Sequence, residues 1–220
     1  MNVLCVAAHP DDETIGCGGT LARHAEAGDD VKVIFHTDGI SSRKPNDGNA
    51  INSREVECLK ALRVLSVASW RYGNFYDQEM DRESIKKVAD CVKDCIDMFH
   101  PDVIYTHWPH DLNQDHRVVA KATLIATRTW AAGVSRLLAF EVPESTGQAF
   151  ASRRFAPNFY VDITAHVDRK CKALACYESE LRHAPHPRSE IMVRAKAAVR
   201  GSEAGCMYAE AFVLLREVVR

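Results

Sequence analysis

The apolar run Val3-Leu4-Cys5-Val6-Ala7 stops at Ala8-His9-Pro10-Asp11-Asp12-Glu13, and a glycine-rich step, Gly16-Cys17-Gly18-Gly19, follows at once. A strand with no polar position to turn toward water is buried on both faces, the condition of an inner strand in a parallel sheet covered by helices. Its carboxyl end opens into the crevice where open α/β sheets bind ligands, so His9, Asp11 and Asp12 are delivered there together. Imidazole nitrogen and carboxylate oxygen suit a catalytic zinc, and an adjacent carboxylate outside that set can act as a base. The same residues also allow a plain polar turn, with Pro10 fixing φ and an aspartate capping a helix from Thr14. The rest of the chain decides between the two.

Elements alternate along it. Residues 14–27 read as a helix, 31–37 as a strand, 52–65 as a helix, 68–75 as a strand and 82–99 as a helix, the last with Ile85, Val88, Ala89, Val92, Ile96 and Phe99 at helical spacing. Residues 103–106 form the next strand, and Asp115 is expected to cap a helix reaching Trp130. Strands at 137–142 and 159–163, helices at 165–181 and 189–200, and a strand at 212–215 complete the pattern. Such alternation predicts a Rossmann-like α/β fold, a mostly parallel sheet flanked by helices, in a single domain over residues 1–220.

The loop after the 103–106 strand runs His107-Trp108-Pro109-His110-Asp111-Leu112-Asn113-Gln114-Asp115-His116. Three histidines and two aspartates are an odd choice for a solvated loop, and in a parallel sheet this loop faces the same crevice as His9. Two such loops at matching strand ends favour a metal site. Arg54 and Glu57, three apart on the 52–65 helix, are otherwise an ion pair of small value on the surface.

Composition removes other classes. With 28 basic against 30 acidic residues and a net charge of -2, no basic face tracks phosphates, so nucleic acid is not expected as a partner. No segment reaches the roughly 18 apolar residues of a membrane span, and no cleavable apolar leader is visible, so a soluble, cytoplasmic protein is expected. None of the eight cysteines forms a Cys-x-x-Cys pair; they read as buried thiols, with Cys17 small for close packing.

Taken together, Ala8–Glu13 with Gly16-Cys17-Gly18-Gly19-Thr20, Arg54-x-x-Glu57, Asp111-x-Asn113-x-Asp115-His116 and the late Tyr208-Ala209-Glu210-Ala211-Phe212 resemble the LmbE/PIG-L family of metal-dependent N-acetylglucosamine deacetylases. The resemblance implies that His9, Asp12 and His116 ligate zinc, that Asp11 is the general base, and that Arg54 holds the sugar. His186, in a proline-flanked loop, and Glu210, in the late motif, are further candidates for contacting substrate. Three protein ligands leave zinc a position for water, whose proton Asp11 would accept as the acetyl carbonyl is attacked. Iron(II) or cobalt also suits these ligands. The implied partner is a small amino-sugar substrate, and the family's frequent trimers or hexamers imply a homo-oligomer.

One position departs from the family pattern. A histidine often stands three residues before the third ligand, where this chain has Asn113. An asparagine donates to an oxyanion but supplies no proton. Either Asn113 donates and another group acts as the acid, or His110 or His186 enters from its loop in place of the imidazole. Two further readings compete. A dinucleotide-dependent oxidoreductase would use Gly16-x-Gly18, but its third glycine position is Leu21 and the acidic loop repels pyrophosphate. A non-catalytic sugar- or metal-binding module would keep the pocket without turnover, yet ligation alone does not call for Asp11.

Overall fold

The opening apolar run is strand β1 (Asn2–Ala7), and its side chains alternate between two cores. Val3, Cys5 and Ala7 join one cluster, while Leu4, Val6 and Ala8 join another on the opposite face. In the computed structural model, which describes residues 1–128, 133–149 and 153–219, β1 lies third in a seven-stranded sheet. The other strands are β2 (Asp30–Phe35), β3 (Ser69–Tyr72), β4 (Val103–His107), β5 (Arg136–Phe140), β6 (Phe159–Asp162) and β7 (Ala209–Glu217). Their order is β3-β2-β1-β4-β5-β7-β6. The first five run parallel, as the alternating pattern predicts, whereas β7 runs antiparallel to both its neighbours.

Helices cover both faces. α1 (Asp12–Glu26), α2 (Gly48–Leu65) and α6 (Val167–Ala175) pack over the first core; α3 (Ile85–Phe99) and α4 (Gln114–Ala126) pack over the second. The expected stripe on α3 is buried there through Val88, Ala89, Val92, Ile96 and Phe99. Burying Val88, Val92, Ile96 or Phe99 contributes about 1.5–3 kcal/mol each. Two more helices are α5 (Pro143–Thr146), which follows β5, and α7 (Glu190–Ala204), which packs on β7 and β6.

Several boundaries differ from expectation for identifiable reasons. α4 is capped by Asn113, whose Oδ1 accepts from the Asp115 amide at 2.9 Å, and not by Asp115, whose carboxylate is turned inward. It ends at Ala126; Trp130 lies outside the described residues. α2 starts at Gly48 because the Asp47 side chain accepts from Ala50 N. The helix expected over 165–181 stops at Ala175, and beyond it the Ser179 amide donates to Glu57 Oε1 instead of a helical carbonyl.

α1 is broken at Cys17 (φ -145°, ψ 19°). The Glu210 carboxylate on β7 accepts from Gly19 N at 2.9 Å and Thr20 N at 2.7 Å, capping the second half. Lys170 Nζ bonds Glu210 at 2.6 Å and the Ile15 carbonyl at 2.7 Å, closing the first half. The glycines here serve packing: a Cβ on Gly16 would lie 2.3 Å from the Phe140 ring, and one on Gly19 2.8 Å from Ile163. Cys17 is buried beside Cys5, with sulfurs 3.7 Å apart, and all eight cysteines are free.

Candidate metal centre and substrate cleft

β1 and β4 are adjacent and parallel, so the loops at their carboxyl ends meet. His9 Nδ1 lies 3.0 Å from Asp12 Oδ2; His116 Nε2 lies 3.4 Å from Asp12 Oδ1 and 3.3 Å from His9 Nδ1. These three ligand atoms fall within 4.8 Å of one another, and all three residues are buried. Asp12 Oδ1 has no hydrogen-bond partner, a costly state for a buried carboxylate oxygen unless a cation meets it. The donor set fits zinc, with two imidazole nitrogens and one carboxylate.

The other ring nitrogens are held as well. His9 Nε2 lies 3.3 Å from Asp115 Oδ2 and 3.4 Å from Asp77 Oδ1, and His116 Nδ1 lies 3.2 Å from Asp111 Oδ1. A carboxylate on the far nitrogen fixes the ring and its tautomer for ligation. His9, Asp77 and Asp115 form a second convergent group. Asp115 is already bonded there, Oδ2 by Gln78 N at 2.8 Å and Oδ1 by Met80 N at 3.3 Å, so the first group is the better cation site.

Burial opposes charging either ring, but the carboxylates outweigh it. Asp12, with Asp115 and Asp77, raises His9 to about 10. Asp12 and Asp111 raise His116 to about 9. Against its own desolvation, Asp12 is held well below the usual carboxylate range by His116, His107 and His9. His107 is fully buried and stacks on His116 at 3.9 Å; its Nε2 accepts from Ala8 N, and burial with the neighbouring His116 lowers it to about 4.

Asp11 sits apart from the ligand group in the left-handed region (φ 110°), a strained position for a side chain. Its Oδ2 accepts from Arg54 Nη2 at 3.0 Å and Arg188 Nη1 at 2.8 Å. Burial pushes its pKa up, the two guanidiniums oppose this, and Asp12 adds to the rise. Arg54 is only 3% exposed and also donates to the Pro10 carbonyl at 2.5 Å, and its pair with Glu57, Nη1 to Oε2 at 3.7 Å, is buried and not at the surface. Arg188, which no sequence pattern singles out, further bonds Glu180 at 2.8 Å and Glu144.

A cleft of about 230 Å³ brings His9, Asp11, Arg54, Asn113, His186 and Arg188 to one surface. His116 lines a groove of about 510 Å³ joined to it through Asn113 and Arg188. His186 Nδ1 accepts from Arg188 N at 3.1 Å, leaving Nε2 toward Glu144, 3.6 Å away. Two expected site residues are elsewhere. His110 lies edge-on to Trp108 with Arg153 Nη1 3.2 Å from its ring, outside the cleft lining. Glu210 is buried with Lys170 at the α1 break and serves the fold instead of a ligand.

Residues 4–127 match the profile of a family described as PIG-L, GlcNAc-PI de-N-acetylase. The chain is 32% identical over 160 residues to the uncharacterized deacetylase YaiS of Escherichia coli, covering 70% of this chain and 80% of that one. It is 28% identical over 221 residues to the diacetylchitobiose deacetylase of Thermococcus kodakarensis, covering 94% and 80%. Among solved structures, the conserved protein TT1542 of Thermus thermophilus superposes with a TM-score of 0.80 at 24% identity, over 99% of this chain and 96% of that one.

Proposed function

The chain belongs to the PIG-L family, and from that premise we propose that it hydrolyses the N-acetyl group of an N-acetylglucosamine-type amino sugar or its conjugate, with His9, Asp12 and His116 holding zinc. One observation carries the reading: a buried His/Asp/His group with an unpartnered carboxylate oxygen stands beside a second carboxylate, Asp11, held out of that group by two arginines. When bound, the cation supplies Lewis acidity toward the amide carbonyl and lowers the pKa of water. Iron(II) or cobalt would serve the same ligands.

Asp11 accepts the proton of the attacking water and returns it to the departing nitrogen, which makes it base and then acid in one turnover. Arg54 and Arg188 orient it through Oδ2 and leave Oδ1, buried and without a partner, for that proton. Asn113 spends its Oδ1 on capping α4, so its amide N–H groups are free to donate to the developing oxyanion. His186, with Nδ1 accepting from Arg188 N, presents Nε2–H to sugar hydroxyls. The products are acetate and a free amino sugar.

Acetate release from N-acetylglucosamine derivatives by the zinc-loaded protein tests the reading. Asp11→Asn is expected to keep its metal and lose about 10²–10⁴-fold in rate, the size of a general base contribution. Release unchanged by the substitution removes Asp11 from the mechanism. Metal and sugar bound without release, in the unmodified chain, makes it a binding module.

A further inference from the structure

Three open spaces meet at the site, and their charges differ. The cleft pairs Arg54 and Arg188 with carboxylates and also holds Arg182, and the groove beyond His116 sets Arg117 and Arg188 against Glu144. The third and largest, about 800 Å³, is walled by the segments that follow β2 and β3 and joins the cleft at Ser42 and Asp77. Asp38, Glu55, Asp77 and Glu79 line it, with neither lysine nor arginine among the lining residues. Arg43, on the same loop, turns to Glu180 and the Gly39 carbonyl.

Two further features point to a ligand. Tyr72, Phe75 and Tyr76 line the groove, and Tyr76 presents its ring there at 73% exposure. Asp77 is 3% exposed; its Oδ2 accepts from Ser42 Oγ at 2.5 Å, whereas Oδ1, 3.4 Å from His9 Nε2, has no hydrogen-bond partner.

We propose that this groove binds the group joined to the amino sugar, and that it selects polyhydroxylated groups that are neutral or carry an ammonium over anionic ones. The inference rests on the deacetylase reading above. The acetamide must reach the His9/Asp12/His116 side, and His116 lines the opposite groove, so a sugar seated in the cleft extends toward Ser42 and Asp77. The exposed Tyr76 ring stacks against the C–H face of a second ring, while the carboxylates of the groove accept its hydroxyls or pair with an ammonium. A carboxylate or phosphate in the same place meets Asp38, Glu55 and Asp77 together with Glu79, which Arg82 pairs at 2.6 Å, and like-charge juxtaposition is strongly unfavourable.

The test compares four N-acetylglucosamine conjugates: the methyl glycoside, and glycosides of a neutral cyclic polyol, of glucosamine and of malate. The neutral and ammonium-bearing conjugates are expected to exceed the malate one by at least about tenfold in kcat/KM, with the gap narrowing as salt is raised. Glu55→Lys combined with Glu79→Lys is expected to invert the order of the neutral and malate conjugates. A malate conjugate cleaved as well as the neutral one, or a ratio untouched by the double substitution, overturns the proposal. Acetate release from the methyl glycoside reports on the deacetylase reading alone. Calorimetric binding of the same four groups as free-amine glycosides reads the groove without turnover, and equal binding of all four overturns the groove in either case.

Discussion

At the scale of single residues, the candidate ligands compete with protons. His9 is raised to about 10 and His116 to about 9, so below pH 9 both rings carry a proton in the metal-free protein, paired with Asp12. A cation must displace both, because only neutral imidazole ligates. Metal affinity is therefore expected to rise with pH up to about 9, with protons released on binding. Chelator competition across pH, together with proton release in weakly buffered solution, checks this; a pH-independent affinity would show that these rings are not the ligands. His9, Asp12 and His116 were legible in the sequence because adjacent ligand types at two strand ends leave a local signal. Arg188 and Asp77 were not, since each is a lone residue on a segment of no regular pattern and reaches the site only through tertiary packing. Glu210 misled for the opposite reason: it sits in a recognisable motif, yet its partners are backbone amides of a helix far away in the chain.

At the scale of elements, α1 matters most, since it carries Asp12 and is entered through Asp11. Its break at Cys17 leaves amides and carbonyls that a continuous helix would satisfy. Lys170 and Glu210 take them over, at 5% and 3% side-chain exposure. Lys170→Met is expected to cost about 3–5 kcal/mol, the scale of leaving one member of a buried ion pair unpaired, with a matching loss of Tm. Glu210→Gln, which keeps an acceptor for Gly19 N or Thr20 N, should cost less. Equal Tm for Lys170→Met and the unmodified chain would mean that the break is sealed by other groups. No pattern in residues 12–26 announces this break: the glycines that permit it read equally well as a phosphate-binding turn. Their true constraint, the close approach of Phe140 and Ile163, is set by β5 and by the segment after β6.

For the whole molecule, the acid limit follows from rings that the fold keeps neutral. His36, at the end of β2, is fully buried, donates Nδ1–H to the Ala7 carbonyl at 3.0 Å and stacks on Phe75. Desolvation lowers it to about 4, from an ordinary 6.5. A depressed value means the unfolded chain binds the proton first, so this contribution is intact above pH 6.5 and lost as pH falls toward 4. Each such ring is worth on the order of 3 kcal/mol. His9 and His116, being raised, are protonated in folded and unfolded metal-free chains alike below 6.5 and add no slope in that window. The metal-free protein should therefore lose Tm steeply from pH 6.5 to 4, and His36→Phe should lose it less; parallel curves would exclude His36 as a cause.

The parallel half of the sheet was readable because β1, β2, β4 and β5 are largely buried on two faces and helices alternate with the strands. The other half was less so, because β7 pairs with β5 and β6 in the opposite sense and its partners along the sheet are set by distant segments. That placement also orders events in time. A ribosome that has reached His116 has already made every candidate ligand, but β5, β6 and the carboxylate that seals α1 have not yet emerged. Until β7 is threaded between its two neighbours, the nascent chain carries an open apolar sheet flank and an unsealed helix under its candidate ligands. A chaperone would meet this protein late in its synthesis, at that gap.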